Sequence, residues 1–196
     1  MSKNLKMKDM VHIALLTAIY IIIYMISMTG FSFLGQFGHT ISPGIAAFFT
    51  GAIIIFMNRK IGKMWEFTLF TLLVMGVFAM VGGGYIPWVI TSVTGAVIAD
   101  ILASRSRETS IFILAISWGI IHVGQAFGSI VPANFFVESF RTHWIERGMN
   151  PKDMDLQISY ARGVVGLMST VGIFILAFVG VYLGYLILRK HLERQA

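Results

Sequence analysis

Trp118, His122 and Gln125 stand at i, i+4 and i+7 in an apolar run, so in a helix an indole, an imidazole and an amide share one face. Stacking from Trp118 and hydrogen bonds from His122 and Gln125 suit a planar or hydroxylated small molecule. His122 serves equally well as a hydrogen bond to a neighbouring helix, so this face reads either as pocket lining or as packing between helices. Gln36 and His39 in one Gly-rich stretch, and Tyr85 and Trp88 after Gly82-Gly83-Gly84, would surround the same cavity. Other chemistry is missing. There is no GxxxxGK[ST] phosphate loop, no HExxH and no GxSxG elbow. Paired intramembrane carboxylates are absent, and His12, His39, His122, His143 and His191 are scattered along the chain. No catalytic group, metal site or cofactor is expected, so an enzyme is the least favoured reading.

Composition sets the class. With 57% hydrophobic and 12% charged residues, and a mean hydropathy of +0.80, the 196 residues describe a polytopic membrane protein. Cysteine is absent, which removes disulfides and thiolate metal sites. Lys3, Lys6 and Lys8 precede the first apolar stretch as in a signal peptide, but the stretch is too long for an h-region and reads as a retained span.

Four stretches carry no Asp, Glu, Lys or Arg: Met10–Asn58, Phe67–Ala99, Thr109–Val137 and Gly163–Leu188. As single helices the first two would be roughly 74 and 50 Å long, against a hydrocarbon core of about 30 Å, so each must turn back once. The glycines at 30, 35 and 38 break the first, and Gly82–Gly84 break the second. An all-α bundle of six transmembrane helices follows, with spans near 10–29, 40–57, 64–81, 86–103, 110–130 and 163–188, forming a single membrane domain. Placing both termini in the cytoplasm puts Lys3, Lys6, Lys8, Arg59, Lys60, Lys63, Arg105, Arg107, Arg189, Lys190 and Arg194 there, 11 of the 15 basic residues. The net charge of +6 is therefore topological, and no nucleic-acid partner is implied.

The connections differ by side. Cytoplasmic ones are short and basic, whereas the outer segment 131–162 is long. Within it Phe136, Phe140 and Trp144 recur every four residues, one aromatic face of a short amphipathic helix that lies at the interface or caps the bundle, and that Gly148-Met-Asn-Pro151 ends. Asp100, near the inner end of the fourth span, reads as a structural acid reaching toward Arg105 or a partner; Glu66 is the only other acid near the bundle.

One motif concerns partners. Ala14 and Ala18, four apart in the helix Val11–Thr29, form a shallow stripe that admits close approach of another helix, either one of the chain's own or one from elsewhere. The order of KMKDMVHIALLTAIY, a Gly-rich loop, GGGYIPW, GAVIADILAS and a basic inner loop resembles the Trep_Strep family of small bacterial integral membrane proteins. These resemble substrate-binding S components of energy-coupling factor (ECF) vitamin transporters. The resemblance implies a six-helix bundle in the bacterial cytoplasmic membrane that binds a micronutrient from outside. It further implies that Ala14 and Ala18 match an AxxxA motif that docks on a transmembrane T subunit driven by two ATPases. It carries over no substrate residue. The alternative is a self-sufficient carrier or channel, which would need a midplane ion or proton site that the sequence does not display.

Overall fold

The computed structural model describes residues 4–104 and 106–192, apart from the side chains of Ser32 and of residues 190–192. Lys3, Arg105 and Arg194, and the side chain of Lys190, therefore lie outside the described residues.

Six helices are long and apolar enough to cross a membrane, and the described residues contain no strand. α1 (Met7–Gly30) leads through a 3-10 turn at Ser32–Leu34 into α2 (Gly35–Lys60). α3 (Glu66–Phe78) runs on through a π-helical turn at Ala79–Gly83. α4 (Ile86–Ala103) and α5 (Ile111–Phe135) follow, then two short helices, α6 (Val137–Ile145) and α7 (Pro151–Ala161), and the long α8 (Gly163–Leu192). α2 and α5 are mostly buried and form the centre; α1, α3, α4 and α8 each turn a large share of their surface outward. α2 packs on α8, α1 and α5, while α5 also packs on α4 and α8.

Small residues set the closest crossings. A Cβ added to Gly180 would lie 2.5 Å from Cα of Phe48, and one on Gly184 would lie 2.5 Å from N of Ala52. Gly51 meets the carbonyl of Gly180 from the other side. Gly95 and Gly124 bring α4 against α5 in the same way, each hypothetical Cβ lying 3.2 Å from the other residue's Cα. Backbones that approach this closely gain dispersion along their whole length, which is the main attraction between helices in lipid.

The turns correct the expected boundaries. Gly35 takes φ +56° and α2 begins there, so Gln36 and His39 belong to its opening turns and not to a loop. At Gly82 the chain takes φ +94°, and Pro87 enters the first turn of α4, where its missing N–H leaves no bond unmade. α5 continues past residue 130 to Phe135, and the outer segment holds two helices instead of one. The second begins at Pro151 and is capped by Asn150, whose side chain accepts from the Lys152 N–H at 2.9 Å.

The end carrying the α2–α3 and α4–α5 connections, the basic end, is fixed by buried polar groups. Asp100, fully buried, accepts from the backbone N–H groups of Phe67 (3.1 Å) and Thr68 (2.8 Å) and from the hydroxyls of Thr68 (2.6 Å) and Ser104 (2.5 Å). It is thus the anionic cap of α3. Glu66 accepts from the Gly62 N–H at 2.9 Å, and the Asn58 amide donates to the carbonyls of Ala103 (3.0 Å) and Ser106 (2.9 Å). Lys63 reaches back to Asp9 on α1 at 2.6 Å.

Candidate functional site

The expected residues divide among three places. Trp118, His122 and Gln125 do share one face of α5, and that face is closed. Their relative exposures are 0, 0 and 2%. The Trp118 indole donates to the carbonyl of Ala47 on α2 at 3.0 Å, and His122 Nδ1 lies 2.8 Å from the carbonyl of Trp118 one turn earlier. Tyr20, from α1, completes the group. Its hydroxyl lies 3.1 Å from His122 Nε2 and 3.4 Å from Gln125 Oε1, and its ring packs edge-on against Trp118 and Phe70. One polar atom is left over: the Gln125 amide nitrogen is buried without a partner. An unmade bond of this kind costs about 1–3 kcal/mol, so the cluster gains from any acceptor that reaches it.

Tyr85 lies elsewhere, in the cap made by α6 and α7. Its ring is 4.5 Å from that of His143 and 5.4 Å from that of Phe140. Phe140 is buried with Met154, Ile158 and Ala161, whereas Phe136 is 59% exposed, so the aromatic face of α6 is split between cap core and surface. A cavity of about 470 Å³ opens here, between Gly84–Pro87 at the entry to α4 and Phe136, Ser139, His143 and Arg147 on and just beyond the ends of α6. That volume is within the range of small-molecule sites. Burial, and the Arg147 charge beside it, hold His143 below its ordinary value.

Gln36 and His39 form neither wall. His39 borders a crevice of about 10 Å³ with Met28, Phe31 and Ser42, too small for a ligand, and Gln36 Oε1 is buried without a partner. Trp88 links the two larger regions: its ring is tilted against that of Phe78 at 5.5 Å and lies on Gly128, one turn beyond Gln125. The structure therefore does not gather the seven residues around one cavity. It sets a closed polar cluster inside the bundle and an open cavity at its cap.

Ala14 and Ala18 lie apart from all of these, on the outer face of α1. Both are exposed, while Ile13, Thr17, Tyr20, Tyr24 and Ser27 of the same helix are buried. The small-residue stripe is turned away from the chain's own helices. Around it stand Val11, Leu15 and Ile22, at 52, 61 and 58% exposure.

Sequence reading missed Tyr20, His143 and Arg147 as site residues. Tyr20 had a signal: Thr17, Tyr20, Tyr24 and Ser27 recur at helical spacing, a polar line along an otherwise apolar span. His143 and Arg147 had none, because their cavity exists only once the glycine turn before α4 is brought against α6.

The family described as hypothetical bacterial integral membrane protein (Trep_Strep) matches residues 7–194. Neither the curated proteins nor the solved structures contain a match to the chain.

Proposed function

Since the chain belongs to the Trep_Strep family of bacterial integral membrane proteins, we propose that this multi-pass protein is the substrate-binding S component of an ECF-type importer. In this reading it captures a small micronutrient-like molecule and acts by binding, not by catalysis. A T subunit and two ATPases supply the energy. Both termini face the cytoplasm, so the basic end is cytoplasmic and the cap is outside. A reporter inserted at Lys60 then reads cytoplasmic and one near Asn150 external; the reverse pattern would discard the orientation.

The observation that carries the proposal is the exposure of Ala14 and Ala18. A stripe that packed against the chain's own helices would be buried; an outward one between large side chains is a groove that a partner helix fits. The buried acids favour the same reading over a self-sufficient carrier. Asp100 and Glu66 are both occupied with backbone N–H groups at the basic end, which leaves neither as a free midplane proton site. Trp118, His122 and Gln125, with Tyr20 lying on them, are proposed as the substrate face in its closed form.

The test is co-purification. Ala14→Trp or Ala18→Trp should abolish capture of the T subunit and the ATPases, and with it uptake, while the isolated protein remains folded. A wild-type yield of partners in both variants would discard the docking role.

A further inference from the structure

The cavity at the cap is chemically one-sided. Its walls contribute the Arg147 guanidinium, the imidazole of His143, the hydroxyl of Ser139 and the phenol of Tyr85, and no carboxylate is among its lining residues. Among the described residues, no Asp or Glu lies within ion-pair distance of Arg147. Of the acids in the cap, Asp155 is bound by Arg141 at 2.6 Å, and Glu146, whose charge acts on His143, is exposed and does not line the cavity. Arg147 uses one nitrogen to reach His143, donating to Nδ1 at 2.9 Å and to the carbonyl at 3.3 Å.

That contact determines the tautomer. A guanidinium only donates, so His143 Nδ1 accepts and the ring proton resides on Nε2. His143 Nε2 is buried and has no partner, so its proton is held behind the cavity wall and Arg147 supplies the donors at the surface. The remaining surface is apolar and flat: the Tyr85 ring, Pro87, and Phe136 and Ile86, which stay 59 and 74% exposed. A cation with free donors beside aromatic and proline faces matches an anion carried on a planar body.

We propose that this cavity binds a small planar molecule bearing a carboxylate or similar anionic group, with Arg147 as its counter-ion and Tyr85 and Phe136 against its ring. Identifying that molecule with the transported substrate rests on the importer reading; the binding itself does not. The headgroup of an anionic lipid shares this chemistry, and bilayers of zwitterionic and of anionic lipid separate the two sources.

Benzoate is the probe, with benzamide as its neutral counterpart of the same shape. Titration calorimetry is carried out on the full chain in nanodiscs of phosphatidylcholine and, separately, of phosphatidylglycerol. Saturable benzoate binding is expected in both, with benzamide at least tenfold weaker. Arg147→Gln should weaken benzoate at least tenfold and Arg147→Lys should restore part of the loss, whereas Lys152→Gln, an equal loss of charge on the exposed first turn of α7, should change it less than twofold. Absence of saturable binding, equal affinity for benzamide, or equal effects of Arg147→Gln and Lys152→Gln would overturn the proposal. Benzoate binding that vanishes only in phosphatidylglycerol would assign the cavity to lipid headgroups and overturn it as well. None of these results bears on partner capture, so the importer reading is judged separately by Ala14→Trp and Ala18→Trp.

Discussion

Gly180 and Gly184 on α8, and Ala14 and Ala18 on α1, are small residues at the same four-residue spacing, yet one pair is consumed inside the bundle and the other faces out of it. The glycines are in backbone contact with Phe48 and Ala52 of α2. The alanines meet none of the chain's helices closely enough to be covered. What separates them is the rest of each helix. On α1 the polar groups Thr17, Tyr20, Tyr24 and Ser27 must be hydrogen-bonded away from lipid, and they claim the inward side, where Tyr20 meets His122 and Tyr24 lies 3.3 Å from Ser42. The alanines are left on another side. A small-residue pair thus says that a helix can be approached, and the polar groups of its own helix say from where.

The comparison breaks first at the glycines. Gly180→Leu should abolish the folded monomer, because its side chain must displace α2 backbone and not merely neighbouring side chains; the loss should exceed the ~1–3 kcal/mol of an ordinary overpacked core. Thermal unfolding in detergent, followed by size-exclusion, measures it. A variant with near wild-type stability would mean that α2 and α8 separate readily, and the contrast with α1 would fail.

A smaller effect tests what orients α1. Tyr20→Phe keeps the ring packing and removes the hydroxyl that lies between His122 and Gln125, leaving those groups short of a partner for about 1–3 kcal/mol. The same substitution should leave capture of the T subunit possible, since Ala14 and Ala18 are untouched. Unchanged stability would remove the polar line as the reason for the outward stripe.

Smallest of all should be the effect of filling the open stripe. Ala14→Trp and Ala18→Trp in the isolated protein should stay within about 0.5 kcal/mol of wild type, as surface substitutions do. A drop comparable to that of Tyr20→Phe would show that the stripe already has a neighbour within the bundle and sharpen the comparison against docking.

Much of this architecture was legible. The charge-free runs were too long for single spans, and their glycines lay where the chain turns, so six helices followed from length alone. The shared face of Trp118, His122 and Gln125 was also readable, since it needs only helical spacing. What filled that face was not: Tyr20 is 102 residues from His122, and a tyrosine in an apolar span looks like any other aromatic. α7 escaped because its residues are too polar for a span, although Asn150-Pro151 with Asp153 is an ordinary helix start. Asp100 was recognised as structural but these partners were not, because the nearest cation in sequence is easier to see than backbone N–H groups 32 and 33 residues away.

That last contact bears on how the chain is made. Spans enter the bilayer in order of synthesis, so α3 arrives with the first N–H groups of its helix unsatisfied, and the carboxylate that accepts from Phe67 and Thr68 is still to be translated. Only when the far end of α4 emerges does Asp100 reach them. The acid in turn is too costly to leave alone in lipid, and finds its donors on the helix that went before. Neither half is comfortable without the other, which makes the α3–α4 hairpin, and not the single helix, the natural unit of biogenesis in the middle of this protein.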